Sequence, residues 1–360
     1  MTNQRAIPFL QFRGGSSKGL FFHDKHLPQD KKLRGDVLKW IMGAYGDPRQ
    51  VDGLGGADPL TSKIAVIAHS EREDCDIDYT FIQAIVGEDR VDDTPNCGNL
   101  LSAIGAFALE ENLLTVSGDQ ASVNVFMTNS SNQCRLEFPV HNGMPVYEGS
   151  AKIDGVLGTS AGVMCFYKDL AGSACGALLP TGNVTDTYDG ITVTAIDNGM
   201  PVVVMKASDF GITGSETPDA LNAHEELKSR LEHIRLQVGR DMGLGDVSDK
   251  AVPKMCLASP AEHGGSFNTR TFIPKTCHKA IGVLGAVSAA TAACLKGSAI
   301  EELAIIPEGD QKDMTIEHPS GVFDVRLDLE NGEIISAGLL RTARLLARGE
   351  AFIPHHVWPE

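Results

Sequence analysis

Residues 96–109, NCGNLLSAIGAFAL, and residues 276–289, TCHKAIGVLGAVSA, read as two copies of one segment. In both, a branched apolar residue, a Gly and an Ala fall seven, eight and nine residues after the Cys. Each copy predicts a thiol at the start of a buried helix of small residues. The free N–H groups and positive dipole end of a helix start favour an anion. Two such ends facing each other would make a cleft suited to carboxylates and proton transfer.

The pattern around these segments also occurs twice. Each half contains strand-like apolar runs, then a helix that begins at a Cys, then hairpins, which indicates an internal duplication. Strands dominate, and the predicted helices are 33–42, 97–110, 222–238 and 277–295. We place the boundary in the turn-rich stretch 143–160, so that lobe 1 covers 1–145 and lobe 2 covers 146–340.

Composition excludes several classes of function. A net charge of −16 argues against a general nucleic-acid binder, which needs a basic face. The eight cysteines form no CxxC pair and no Cys/His zinc spacing, and no secretory signal is visible, so we expect free thiols in the cytoplasm. The uncharged stretch 280–295 is too short for a typical membrane span and suits a central buried helix.

Two loops carry candidate chemistry. Residues 13–19, RGGSSKG, contain the glycines and hydroxyls that can cradle an oxyanion, although a plain hairpin turn explains them equally well. Residues 52–63, DGLGGADPLTSK, lead into an apolar strand, and no strand precedes them as a dinucleotide fingerprint requires. Lys63 lies where this loop enters the strand, so partial burial would make it a candidate general base. A surface lysine is the alternative.

Further candidates surround the two cysteines. Gly98 and Asn99 can bind a carboxylate beside Cys97, whereas a buried Cys is more often a small apolar residue. Arg270 can clamp a carboxylate with two hydrogen bonds, or form a structural ion pair. The eleven histidines are scattered and form no convincing metal-ligand set.

Three more motifs are DNGMP at 197–201, GDV at 245–247 and FIPKTCH at 272–278. Together with the loops and the cysteine segment described above, they resemble the PrpF family over nearly the whole chain. The family's usual RGGTSKG has Ser16 in place of Thr here, which keeps the hydroxyl. The motifs that carry the resemblance are RGGSSKG at 13–19, DGLGGAD at 52–58, LTSK at 60–63, NCGN at 96–99, DNGMP at 197–201, GDV at 245–247 and FIPKTCH at 272–278.

The resemblance implies the α+β diaminopimelate-epimerase fold, in which two pseudo-symmetric lobes each wrap a barrel-like sheet around a central helix. The segment 341–354 is expected to return to lobe 1, and the active site to lie between the lobes. No metal, flavin or nucleotide cofactor is implied. The expected partner is a small tricarboxylate rather than a nucleic acid or a membrane, and we allow for a homodimer.

The same resemblance implies Lys63 and Cys97 as the proton-transfer pair of a cofactor-independent isomerase. The expected substrate is an unsaturated keto tricarboxylate such as 4-oxalomesaconate, in bacterial aromatic-acid catabolism. Its acidic γ C–H would lose a proton to a base to give a conjugated dienolate, and an acid would return one elsewhere. The expected carboxylate and enolate donors are Ser16, Ser17, Gly98, Asn99, Asn198, Arg270, Cys277 and His278.

Three alternatives stay open at this point. An aconitate or methylaconitate isomerase of the PrpF type would use the same residues. A two-thiol racemase or epimerase would use Cys97 and Cys277 as acid and base on opposite faces of the substrate. A non-catalytic protein that binds small acids would have kept only the cleft. Keto–enol tautomerisation and a shifted carbon–carbon double bond are both compatible with the proton-transfer pair.

Overall fold

A computed structural model describes residues 4–94, 96–153, 155–168 and 170–359 of the chain. Strands predominate over helices, which confirms the predicted α+β class. The chain divides into two compact units, the first made of Met1–Tyr167 with Leu340–Glu360 and the second of Lys168–Leu339. No helix among the described residues combines the length and apolar character that a membrane crossing requires.

The first unit contains nine strands and three α-helices within its described residues, together with the end of a last long strand. They are β1 Gln4–Gly14, β2 Ser17–His23, α1 Lys31–Met42, β3 Lys63–His69, β4 Ile77–Ala84, β5 Val91–Asp92, α2 Gly98–Leu101, α3 Ile104–Glu110, β6 Gln120–Met127, β7 Asn132–His141, β8 Met144–Pro145 and β9 Gly162–Tyr167.

The second unit follows with the remaining elements. They are β10 Asp186–Tyr188, β11 Ile191–Asp197, β12 Pro201–Lys206, α4 Pro218–Ala223, α5 Glu225–Asp241, β13 Lys254–Ser259, β14 Phe267–Phe272, α6 Val283–Cys294, β15 Gln311–His318, β16 Gly321–Glu330 and β17 Glu333–Pro354. Short 3₁₀ helices lie at Asp24–His26, Ala207–Phe210 and Glu301–Leu303. The end of β17 pairs with β1 from Gly14↔Ala343 to Gln4↔Pro354, so it belongs to the first unit.

The two units repeat one order of strand pairing. In the first, β1–β2 is antiparallel, β2–β3 parallel, β3–β4 antiparallel, β4–β6 parallel and β6–β7 antiparallel. In the second, β11–β12, β12–β13, β13–β14, β14–β15 and β15–β16 follow the same alternation. An amphipathic helix precedes the third strand of each series: α1 precedes β3, and α5 precedes β13. A buried helix precedes the fifth strand: α3 precedes β6, and α6 precedes β15. This repetition supports the predicted duplication, with β3 equivalent to β13.

The connection from β2 to β3 runs through α1 and determines where Lys63 lies. Asp30 caps α1 by accepting a hydrogen bond from the Leu33 N–H at 2.8 Å. Gly43 ends the helix in the left-handed conformation, at φ 66°. The apolar face of α1 is buried, and β3 then pairs in parallel with β2, which places Lys63 beside Gly19.

The helix predicted at 97–110 forms as two pieces, α2 and α3. The Ser102 hydroxyl donates to the Asn99 carbonyl at 2.8 Å, and the Ala103 N–H bonds to the Leu100 carbonyl in a tighter turn. Local side-chain bonds of this kind compete with the regular helical ladder. Cys97 is the N-cap residue of α2, although its side chain does not bond to the helix start, and α3 is buried in the core of the first unit as predicted.

The helix predicted at 277–295 begins later, at Val283, so the prediction that Cys277 opens it is wrong. Gly282 is the N-cap of α6, and Cys277 instead forms an isolated bridge with Phe272. The stretch predicted as one helix at 222–238 divides at His224, whose side chain accepts from the Leu227 N–H and caps α5. The sequence-based boundary at 145/146 falls before β9, which pairs with β7 in the first unit.

Candidate active site

Lys63 and Cys97 lie together in the first unit. The Lys63 Nζ is 3.6 Å from the Cys97 Sγ, a hydrogen-bond distance for sulfur. Lys63 is the first residue of β3 and lies between Gly19 on β2 and Gln83 on β4. Its ammonium is also 5.0 Å from the centre of the Phe81 ring, within cation–π range. The amine and the thiol can therefore exchange a proton directly.

Two hydrogen bonds to its carbonyl hold the backbone of Cys97 in place. Its carbonyl accepts from the Leu101 N–H at 3.2 Å and from the Tyr79 hydroxyl at 3.3 Å. Tyr79 is completely buried, and burial raises the pKa of its hydroxyl well above the ordinary value, so it remains a donor. The Cys97 side chain is 7% exposed, which leaves its sulfur on the edge of the core. The sequence analysis did not identify Tyr79, because nothing local marks a tyrosine that reaches a distant carbonyl.

The glycine and serine loop packs onto the residues that follow Cys97. The Asn99 Nδ2 donates to the hydroxyls of Ser16 and Ser17, at 3.2 Å in both cases. The backbone approaches so closely that a Cβ on Gly14 would lie 2.6 Å from the Asn99 carbonyl oxygen. A Cβ on Gly15, at φ 52°, would lie 2.3 Å from the Asn99 Oδ1. The glycines of this motif therefore bring two hydroxyls and one amide together near Cys97.

Two glutamines hold the loop that leads into Lys63. Gln50 is 2% exposed, and its Oε1 accepts from the Ala57 N–H at 2.8 Å and the Ser62 hydroxyl at 2.6 Å. The Gln83 Nε2 donates to the carbonyls of Pro59 and Ser62, at 3.1 and 3.0 Å. These bonds position the entry to β3, and thus Lys63. The sequence analysis missed both residues, since each acts through a contact that is remote in sequence.

In the second unit, Asn198 and Arg270 are anchored by neighbouring groups. The Asn198 Nδ2 donates to the Thr291 hydroxyl on α6 at 2.8 Å. The Arg270 guanidinium is 6% exposed and donates to the Glu216 carbonyl and the Asn268 Oδ1, both at 2.8 Å. Burial lowers the pKa of Arg270 from its ordinary value. Both side chains thus make structural bonds in addition to the ligand role expected of them.

Cys277 and His278 occupy an extended segment. The Cys277 N–H donates to the Asn222 Oδ1 at 2.7 Å, and the His278 N–H to the Thr271 carbonyl at 2.8 Å. These amides are therefore occupied rather than free for a carboxylate. Burial raises the pKa of the Cys277 thiol to about 11, while the nearby Arg270 acts in the opposite direction. Cys277 is accordingly a neutral thiol at neutral pH.

All eight cysteines are free thiols. Within the described ranges, no three His, Cys, Asp or Glu side chains come together in a group that could hold a metal ion. The ten site residues expected from the sequence thus fall into two sets. Six lie in the first unit, around the 3.6 Å contact between Lys63 and Cys97, and four lie in the second.

The sequence profile of the PrpF protein family matches residues 4–354. The chain belongs to the PrpF family. It is 50% identical over 355 residues to the 4-oxalomesaconate tautomerase of Pseudomonas putida. That alignment covers 99% of this chain and 98% of the relative. It is 49% identical over 352 residues to the (4E)-oxalomesaconate Delta-isomerase of Novosphingobium sp., with 98% of each chain covered.

A solved structure confirms the fold. The crystal structure of a methylitaconate-delta-isomerase matches with a TM-score of 0.92 at 32% identity, covering 99% of this chain and 97% of that one. These relatives and this structure are named as isomerases or tautomerases, and this PrpF chain is an enzyme of the same isomerase class. The expected family, fold class and enzyme class are therefore confirmed.

Proposed function

We propose that this PrpF enzyme moves a proton on 4-oxalomesaconate, as a cofactor-independent isomerase or tautomerase of bacterial aromatic-acid catabolism. The observation that carries the proposal is the 3.6 Å contact between the Lys63 Nζ and the Cys97 Sγ, beside a loop of hydroxyl and amide donors. The names of two relatives, at 50% and 49% identity over nearly the whole chain, support this substrate.

In the proposed reaction, Lys63 acts as the base: its amine removes the acidic C–H proton and becomes an ammonium. The electron pair is delocalised into the conjugated dienolate, and the Cys97 thiol delivers its proton to another atom of that system. The ammonium then returns a proton to the Cys97 thiolate across their 3.6 Å contact, which restores both groups. General acid–base groups of this kind typically contribute about 10²–10⁴-fold to the rate.

The remaining first-unit residues are proposed as oxygen-binding groups. Ser16, Ser17, Gly98 and Asn99 would donate hydrogen bonds to a carboxylate or to the developing enolate. Such local donors are needed because a tricarboxylate meets an overall charge of −16 on this chain. The second-unit residues Asn198, Arg270, Cys277 and His278 are proposed as carboxylate-binding groups through their side chains, since the Cys277 and His278 amides already have partners. Arg270 contributes the positive charge of that set.

Proton NMR in D₂O tests this function against its alternatives. The purified enzyme is incubated with 4-oxalomesaconate, cis-aconitate, 2-methylaconitate, 3-methylitaconate and a set of amino acids. We expect product from 4-oxalomesaconate with deuterium incorporated from solvent, and the labelled position distinguishes an enol from a shifted double bond. Turnover of only the aconitates would favour the methylaconitate isomerase, and inversion of amino acids would favour a racemase. No turnover of any acid would contradict an enzyme of this substrate class.

We also propose that the reaction needs no metal, since the conjugated keto group of the substrate can itself accept the charge as a dienolate. Dialysis against a chelator should leave the rate unchanged, and a loss that only added metal restores would contradict this. Cytoplasmic location and the homodimer allowed for above also stay predictions, and light scattering of the purified enzyme tests the latter.

A further inference from the structure

Lys254 occupies the position in the second unit that Lys63 occupies in the first. Each is the first residue of its strand, β3 or β13, and each pairs in parallel with the strand that precedes the crossover helix. The register joins Lys63 to Gly19 and Lys254 to Val202. The duplicated topology therefore supplies two lysines at equivalent places, of which the proton-transfer pair uses one.

The surroundings of the two lysines differ. Lys63 has the Cys97 sulfur at 3.6 Å, whereas the Cys277 thiol, the equivalent of Cys97, has the Arg270 guanidinium as its charged neighbour. The Lys254 Nζ instead lies at the beginning of α6, where a Cβ on Gly282 would be 3.4 Å from it. The Lys254 amine therefore has no thiol to complete a second proton-transfer pair.

Lys254 is partly buried and unpaired. Among residues 4–94, 96–153, 155–168 and 170–359, no side chain or carbonyl forms a hydrogen bond or an ion pair with its ammonium. Burial alone lowers the pKa of Lys254, with no carboxylate nearby to oppose the shift. The Lys254 Nζ is not fully enclosed, so an anion from solution can reach it, and its partial loss of hydration favours a partner of opposite charge. The missing counter-charge is what a bound carboxylate would provide.

We infer that Lys254 is a substrate-binding residue that pairs with one carboxylate of a tricarboxylate. This inference deepens the proposed function and rests on it for the identity of the acid, but not for the presence of a carboxylate-binding lysine.

Citrate, a stable tricarboxylate, probes the site without turnover. We would measure the thermal unfolding of the parent, K254Q and K254R as citrate is added, at constant ionic strength set with sodium chloride. The parent should be stabilised with a midpoint citrate concentration that rises about tenfold or more in K254Q, because a hydrogen bond to a charged group is lost. K254R keeps the charge and should lie between them.

The matched control is K206Q. Lys206 lies on the neighbouring strand β12 of the same unit, and its ammonium is 3.4 Å from the Glu302 carboxylate, so it already has a partner. Its removal should leave the citrate midpoint unchanged. A parent without citrate-dependent stabilisation, or a K254Q midpoint equal to that of the parent, overturns the inference. If K254Q does not fold, K254M is read by the same criterion, since it keeps the aliphatic stem.

Kinetics then separate this inference from the proposed function. With 4-oxalomesaconate, K254Q should raise KM about 10–100-fold and change kcat much less, because the lost contact is made equally in the bound substrate and the transition state. A parent that binds citrate through Lys254 but does not turn over 4-oxalomesaconate contradicts the proposed function alone. A parent that turns it over with the same KM in K254Q contradicts the inference alone.

Discussion

The two cysteine segments look alike in sequence and differ in structure. Cys97 directly precedes the short helix α2, with its sulfur near an amine, whereas Cys277 lies in an extended segment with its N–H bonded to Asn222. The buried helices that follow, α3 from Ile104 and α6 from Val283, are the part of the pattern that both units share. The repeat therefore preserves a packed helix, and only one copy preserves a reactive setting for the thiol.

This difference teaches where the chemistry of a duplicated fold can diverge. The small residues of α3 and α6 must fit inside a closely packed core, so both copies are constrained. The two residues that directly follow each cysteine lie outside the core and can change without that cost. In the first unit they are Gly98 and Asn99, and in the second His278 and Lys279.

The largest effect should come from Lys63→Ala. This change removes the proposed base, so we expect solvent-deuterium exchange at the substrate C–H to fall by about 10³-fold or more. Proton NMR in D₂O measures it. Lys39→Ala is the control, because Lys39 is a surface lysine of the same unit that pairs with Asp36 and Asp89. A folded Lys63→Ala enzyme within a few-fold of the parent rate would remove Lys63 from the mechanism.

Cys97→Ser should have the next largest effect. A hydroxyl is a far weaker acid than a thiol, so we expect kcat to fall by about 10²-fold while the protein stays folded. Steady-state kinetics with 4-oxalomesaconate measure this. Equal losses in Cys97→Ser and Cys277→Ser would reverse the distinction between the two segments and favour the two-thiol mechanism.

Cys277→Ala should lower kcat by less than about tenfold, with the main effect on KM, because the thiol is not placed in the proton-transfer step.

The pH dependence of Cys277 alkylation gives a separate prediction. Since the pKa of Cys277 is raised to about 11, its thiolate fraction grows only as the pH approaches that value. Alkylation of Cys277 by iodoacetamide, followed by peptide mass spectrometry, should keep accelerating up to pH about 11. A plateau near pH 8 would contradict the buried neutral thiol.

The smallest effect should come from Tyr79→Phe. It removes the hydroxyl that donates to the Cys97 carbonyl, and leaves that carbonyl bonded to the Leu101 N–H. We expect the free energy of unfolding to fall by about 1 kcal/mol, as for a typical hydrogen bond. Urea unfolding measures it, and Tyr147→Phe, which loses a bond to Glu110 in the same unit, serves for comparison. An unchanged free energy of unfolding would show that the bond from Tyr79 to the Cys97 carbonyl does not stabilise the protein.

Much of the fold follows from local pattern. Apolar runs predict strands directly, because a strand with buried faces needs apolar side chains there: the runs 64–68 and 162–167 form β3 and β9. The helix at α1 begins within two residues of its predicted start and ends where predicted, since Asp30 and Gly43 are local capping signals. The start of α6 was misplaced because Cys277 resembles Cys97 in sequence, while the bond from its N–H to Asn222 comes from another part of the chain.

By itself, the sequence determined the duplication, through its repeated pattern, and the family, through its motifs. The α+β fold and the residues expected to carry the chemistry followed from the resemblance to that family. Tertiary structure alone decided which cysteine meets an amine, since the contact of Lys63 with Cys97 joins the start of β3 to the residue that directly precedes α2. It also decided that Lys254 lies partly buried without a partner. Distances, occupied amides and missing counter-charges arise only when remote segments pack together.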